Sequence, residues 1–286
     1  MIRFAALVFI LTAVAPLAEA GDTVTTVDTA DSLMVVLEHD FRGHPRAVRM
    51  DFVTQFVKRG SEIKRTMWGL ISGDPVESWF LYVITEPKFM EGTSLLFQDW
   101  ADAARTDSIW LYLPSFKQFR ALERRSQRSV IPGTALTYED SRGFIPIDKY
   151  DLTVADSASG DSGTGTITLV ARPKSPAIAD NVGYQSLTIT VDRAKRLITH
   201  IEYRASFDRL IKTYEVVESV QQGDVWYPAR IRVEQIHQRT ISFVDYQYWP
   251  LAVTPDRDVF RPSVDTVSFL PRLRRVLDEA GLDIGF

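Results

Sequence analysis

Residues 186–195 read Ser186-Leu187-Thr188-Ile189-Thr190-Val191-Asp192-Arg193-Ala194-Lys195, and this stretch decides the fold. Leu187, Ile189 and Val191 alternate without error with Ser186, Thr188 and Thr190. Successive side chains of an extended strand point to opposite faces, so the pattern is a strand with one apolar and one polar face. Asp192-Arg193-Ala194-Lys195 then has the composition of a tight turn. A strand with so short an exit pairs antiparallel with its successor, because a parallel neighbour needs a crossover of about a dozen residues or more.

The same two-residue period extends outward through most of the chain. Ala229, Ile231 and Val233 alternate with Arg230, Arg232 and Glu234, and Ile236 breaks the phase as a bulge would. Met50, Phe52, Thr54 and Phe56 alternate with Arg49, Asp51 and Gln55. Further strands are expected at 62–71, 79–84, 93–98, 108–113 and 118–122. Lys58-Arg59-Gly60-Ser61, Ser72-Gly73-Asp74-Pro75 and Gln222-Gly223-Asp224 have turn composition. The expected architecture is one large, strongly curved antiparallel sheet. Residues 156–165, rich in Ser, Gly and Asp, read as a flexible loop within it.

Two helices flank the strands. Leu33, Met34, Leu37 and Phe41 fall at helical spacing, with Asp28 or Thr29 as cap and Gly43 at the end. Near the carboxy terminus, Leu270, Leu273, Val276, Leu277 and Ala280 form an apolar stripe opposite Arg272, Arg274, Arg275, Asp278 and Glu279.

The amino terminus reads as a secretory signal peptide over residues 1–20. Arg3 gives the positive start, 4–17 the apolar run, and Ala18-Glu19-Ala20 the small residues before cleavage near Ala20–Gly21. A periplasmic location and a single domain over 21–286 are expected. The chain has no cysteine, so burial alone must hold it together, and Gly21 offers no thiol for a lipid anchor. A net charge of −4 without blocks of like charge argues against a nucleic-acid partner.

The search for chemistry returns little. His39, His44, His200 and His237 lack ligand-pair spacing, so no metal or other cofactor is expected. Gly160-Asp161-Ser162-Gly163 lacks the spacing of a hydrolase elbow. Glu139-Asp140 is the most suggestive carboxylate pair, but adjacent side chains do not face one another. An ion pair with Arg120, Arg124 or Arg125 explains it more simply than acid–base catalysis, so no catalytic residue is assigned. What remains is apolar strand surface. With so little helix to cover it, the sheet either packs a core or encloses an apolar concavity.

Several segments resemble the outer-membrane lipoprotein-sorting protein family, the LolA-like periplasmic carriers. They are Pro87-Lys88-Phe89-Met90-Glu91-Gly92-Thr93, Trp110-Leu111-Tyr112-Leu113-Pro114 with Phe119-Arg120, Gly133-Thr134 followed by Tyr138-Glu139-Asp140, and the Tyr203 to Lys212 hairpin. The family's paired arginines are here Arg120-Ala121, and its late turn glycine is replaced around Asp208-Arg209. The resemblance implies a mainly β (α+β) fold, an incomplete antiparallel β-barrel with a few helices closing an apolar cavity. It further implies a monomeric, non-enzymatic carrier of lipid or lipoprotein acyl chains, serving an inner-membrane lipid exporter of the resistance–nodulation–division type.

On that reading Pro114 ends a strand, since it lacks the N–H to continue a ladder. Trp110 and Tyr112 share a face and are expected on the cavity side, with Trp68 and Trp79 as further lining. Leu33, Leu37 and Phe41 form the first candidate lid and the carboxy-terminal helix the second, while Arg120, Tyr138, Glu139 and Asp140 give polar support. Two other functions compete. Leu282, Ile284 and Phe286 alternate to a final aromatic, as in the last strand of an outer-membrane β-barrel, and Glu139 or Asp140 would serve a hydrolase.

Overall fold

A computed structural model describes residues 30–42, 44–74, 76–100, 105, 107–123, 128–142, 145, 149–157, 165–262 and 269–282. The leader, the expected caps Asp28 and Thr29, Gly43, Arg124, Arg125, most of the 156–165 loop, Ile284 and Phe286 lie outside these residues.

The strands are β1 (Arg46–Phe56), β2 (Ser61–Gly73), β3 (Glu77–Glu86), β4 (Ser94–Trp100), β5 (Ser108–Leu113), β6 (Gln118–Ala121) and β7 (Tyr150–Ser157). They continue with β8 (Thr166–Pro173), β9 (Ser186–Asp192), β10 (Leu197–Ala205), β11 (Arg209–Gln222), β12 (Val225–Gln235) and β13 (Thr240–Pro250). The helices are α1 (Ala30–Arg42), α2 (Pro176–Val182) and α3 (Phe269–Glu279). All 13 strands join one sheet in the order β6-β5-β4-β3-β2-β1-β13-β12-β11-β10-β9-β8-β7. Among the described residues every ladder between these strands is antiparallel, and only the β1–β13 pairing joins strands distant in sequence.

β6 and β7 are the two edges, so the sheet is open, as the incomplete-barrel expectation requires. Among the described residues the sheet does not close, whereas a membrane-spanning sheet must close to pair its edge groups. Among the described residues no helix is long and apolar enough to cross a membrane.

Several local expectations shift. Ile236 is no bulge; β12 stops at Gln235 and a turn runs over 236–239. The Ser72-Gly73 pair belongs to β2, not to the turn after it. The hairpin between β10 and β11 manages without a glycine because Phe207 (φ 60°) and Asp208 (φ 56°) take the left-handed conformation themselves.

Strands β2–β5 bear apolar residues on both faces, which is why no single period-two stripe marks the interior. On the inner face, Val48, Met50, Phe52, Met67, Phe80 and Tyr82 meet residues of β12 and β13. On the outer face, Ala47, Trp68, Leu70, Leu81, Val83 and Leu96 pack beneath Phe269, Leu273 and Leu277 of α3. The helix therefore seals the outside of the sheet and is not a lid. Leu273 is fully buried there. Leu273→Ala is expected to lower stability by about 2–5 kcal/mol in urea denaturation. Binding on the inner face should stay unchanged once the variant is folded.

Candidate functional site

One glycine shapes the inner face. Gly69 sits mid-strand in β2, opposite Tyr82 of β3 and Val48 of β1. A Cβ built on it would lie 2.5 Å from Tyr82 Cδ1 and 2.9 Å from Val48 Cγ1. The missing side chain lets the Tyr82 ring lie across β2. Gly69→Val is expected to cost about 1–3 kcal/mol through overpacking, read as a fall in the urea midpoint.

Above this surface lies a cavity of about 120 Å³. Its walls are Val48, Met50 and Phe52 of β1, Met67 and Ile71 of β2, Ile201 and Tyr203 of β10, Ile231 of β12, and Tyr246 and Tyr248 of β13. That volume is comparable to the roughly 150 Å³ hole that admits benzene in another protein. A space of that size has room for a small apolar group.

Two segments stop the ends. Strand register places the β1–β2 and β12–β13 turns at one end and the start of β1 with the β9–β10 turn at the other. At the first end, residues 128–142 fold inward, burying Ala135, Leu136 and Tyr138 in the inner core. Ser242 and Thr54, both fully buried, explain themselves here. Their hydroxyls lie 2.7 Å apart, and Ser242 Oγ accepts the Ala135 N–H at 2.8 Å. Gln235 Nε2 donates to the Ala135 carbonyl at 2.9 Å, and Arg65 Nη1 to the Pro132 carbonyl at 2.9 Å. Deeper in, Asp140 accepts Lys212 Nζ at 2.5 Å and the Thr137 N–H at 2.7 Å. The Lys212 ammonium also lies 3.7 Å from the centre of the Tyr203 ring.

At the other end α1 is the stopper. Ala30, Leu33 and Met34 pack with Tyr150, Leu169, Tyr184 and Leu187. Its last turn is clamped by Arg42, which pairs with Glu38 at 2.5 Å and with the buried Asp99 of β4. Asp40 pairs with Arg196 of the β9–β10 turn at 3.2 Å. A second cavity of about 60 Å³ lies between α1 and β10–β12, lined by Met34 and Leu37. It shares Ile145, Ile198, Tyr214 and Pro228 with the larger one, so the two adjoin through these side chains while α1 covers the smaller.

The interior is not uniformly greasy. Tyr82, Tyr184, Tyr203, Tyr214, Tyr246 and Tyr248 all line it. Burial raises the pKa of each phenol; Asp140 adds to the rise at Tyr203 and Tyr214. They therefore stay protonated and each carries a hydrogen to donate at neutral pH. Arg46 is buried among them, its guanidinium 4.9 Å from the Tyr227 ring centre and donating to the His44 carbonyl at 2.8 Å. Burial pushes its pKa down, against the opposing influence of Tyr227, Tyr248 and Tyr82.

The sequence-chosen residues distribute unevenly. Trp68, Trp79, Trp110 and Tyr112 do not line the cavity. Trp68 stacks on Trp249 at 5.0 Å, Trp79 on Trp110 at 6.4 Å and Phe260 at 6.1 Å, all in the outer cluster under α3. Tyr112 contacts Phe119, which in turn meets Phe269 of α3. Trp110 and Tyr112 do share a face, but Ile109 and Leu111 hold the inner one. Arg120 is exposed over Phe116 and gives the cavity no support. The cation that meets Asp140 is Lys212, not Arg120.

Glu139 and Asp140 do face the cavity, and Tyr138 is buried beside it. Leu37 lines the smaller cavity, Leu33 packs against β7–β10, and the Phe41 side chain lies outside the described residues. Sequence reasoning missed Lys212, Arg42, Arg46 and the inner tyrosines. Two signals pointed to the tyrosines: the period-two row Ser242, Val244, Tyr246, Tyr248, and a glycine in mid-strand. Among the described residues no group of three or more His, Cys, Asp or Glu side chains gathers as metal ligands would.

An open antiparallel sheet wrapped around a stoppered apolar cavity defines the molecule as a β-shell of the LolA-like kind. A family model described as "-like: Uncharacterized protein" matches residues 77–264, and the chain belongs to that family. The crystal structure of a DUF1329 family protein from Desulfovibrio piger is similar with TM-score 0.70 and 19% identity, over 80% of this chain and 94% of that one. A putative outer membrane lipoprotein-sorting protein domain from Vibrio parahaemolyticus matches with TM-score 0.67 and 18% identity, over 79% and 94%. A LolA superfamily protein from Nitrosomonas europaea matches with TM-score 0.60 and 18% identity, over 82% and 97%. At these identities the likeness establishes the fold. No curated protein sequence matches the chain significantly.

Proposed function

We propose that this protein is a periplasmic carrier that holds the acyl chains of a lipid or lipoprotein without covalent chemistry. The observation that carries the reading is the internal cavity, enclosed by the sheet and stopped at its ends by α1 and by residues 128–142. Each methylene moved from water into such a space contributes about 0.8 kcal/mol, so a modest length of chain suffices for useful affinity. The lipoprotein-sorting and LolA names of two fold neighbours fit this reading, as does the export signal read in residues 1–20.

Loading requires only that a stopper shift between two packed arrangements. α1 is the better lid, since it covers the smaller cavity, which adjoins the larger one through four shared side chains. An inner-membrane exporter of the resistance–nodulation–division type fits as the donor or acceptor of the cargo. The test is lipid mass spectrometry of protein released from the periplasm by osmotic shock. A stoichiometric co-purifying lipid is expected. Protein that stays with the membranes, or that is lipid-free and binds no hydrophobic probe, overturns the reading.

A further inference from the structure

Among the described residues, three donors in the cavity wall have nothing to receive them. Tyr82 of β3, Tyr214 of β11 and Tyr246 of β13 all line the space. Among the described residues their hydroxyls make no hydrogen bond, whereas Tyr248 donates to the Pro228 carbonyl at 3.0 Å and Tyr184 pairs with Tyr150 at 2.7 Å. None of the three is among the polar atoms sealed from solvent without a partner, so each hydroxyl opens onto accessible space. Tyr82 is only 6% exposed, which leaves the cavity as the space its hydroxyl can meet. Tyr82 lies across Gly69 toward Val48 of β1, and Val48 and Met50 pair with Tyr248 and Tyr246 of β13, so the rings border one space that Tyr214 also lines.

Three phenols are a poor choice for pure hydrocarbon. A phenylalanine gives the same ring surface without the hydroxyl, and a buried donor left unmet costs stability. A purely hydrocarbon chain lying here would strip water from the three hydroxyls and return nothing. We infer that the ligand is an oxygen-bearing lipid, whose cavity-seated segment presents an ester carbonyl or a chain hydroxyl to Tyr82, Tyr214 and Tyr246. This rests on the carrier reading and narrows its cargo. The shared chemistry is an acceptor oxygen within the apolar body of the ligand, distinct from a terminal headgroup.

The test compares the protein with its Tyr82→Phe/Tyr214→Phe/Tyr246→Phe variant, which removes three oxygens that hold no part of the fold. Delipidated protein is titrated with octadecanoate, 12-hydroxyoctadecanoate and methyl octadecanoate by displacement of a fluorescent hydrophobic probe. The wild type is expected to favour the hydroxylated or esterified ligand over octadecanoate, whose oxygens form a terminal charged headgroup, and the variant to lose that preference by about tenfold. Loss confined to 12-hydroxyoctadecanoate identifies a chain hydroxyl, and loss confined to the methyl ester identifies a carbonyl. If octadecanoate binds and the variant treats all three ligands as the wild type does, the inference is overturned and the carrier reading stands. If no ligand displaces the probe from the wild type, both are overturned. Single Tyr→Phe variants, each verified by its melting curve, repeat the comparison should the triple variant unfold.

Discussion

Replacing Arg42 with alanine is expected to cost about 3–5 kcal/mol of stability and to speed the entry of a hydrophobic probe. Arg42 ends α1 and binds two carboxylates, Glu38 in its own helix and Asp99 on β4. The Asp99 side chain is 2% exposed, so the substitution takes a cation away from a carboxylate in a nearly dry place. A surface ion pair would be worth less than about 1 kcal/mol, which is why burial makes this the larger effect. A second polar tie of α1, Asp40 with Arg196 of the β9–β10 turn, is partly exposed. Urea denaturation measures the first effect and stopped-flow probe uptake the second. An unchanged midpoint with unchanged uptake would show that α1 is not held by this clamp.

A comparable loss is expected at the opposite end from Lys212→Met. Lys212 has a side chain 5% exposed and meets Asp140, itself 12% exposed. Removing the cation leaves Asp140 buried with its Thr137 N–H and a 3.5 Å contact from the Tyr203 hydroxyl. The single substitution should cost about 3–5 kcal/mol, whereas pairing it with Asp140→Leu should restore most of the loss, since desolvating two charges consumes much of what their attraction returns. Near-additive losses in the double variant would contradict a direct pair. Both clamps lie between a sheet strand and a stopper, so each links fold stability to closure of the cavity.

Much of the fold was legible because one signal, period-two alternation, is local. Ser186 to Val191 and the 108–113 strand fall where their patterns place them. The α3 stripe was legible for the same reason. The site was less so. Trp110 and Tyr112 gave the right shared face and the wrong side of the sheet, because β2–β5 bear apolar residues on both faces and alternation cannot label which is inner. Asp140 was found, but its partner Lys212 stands 72 residues later, and its meeting with Asp140 depends on how residues 128–142 fold inward. Arg42 and Asp99 are likewise 57 residues apart. Such contacts are products of sheet order and carry no local mark.

The central claim is that ligand occupies the cavity above Gly69 and between the two stoppers. The most direct measurement is displacement of a fluorescent hydrophobic probe from delipidated protein and from an Ile231→Trp variant, whose added ring fills the space beside Tyr246. Ile231 is 1% exposed and lines the cavity, and circular dichroism verifies that the variant remains folded. Saturable probe binding to the protein, displaced by an acyl ligand and reduced at least tenfold in the filled variant, is the predicted result. Binding of equal strength in both proteins, or none in either, would contradict the account.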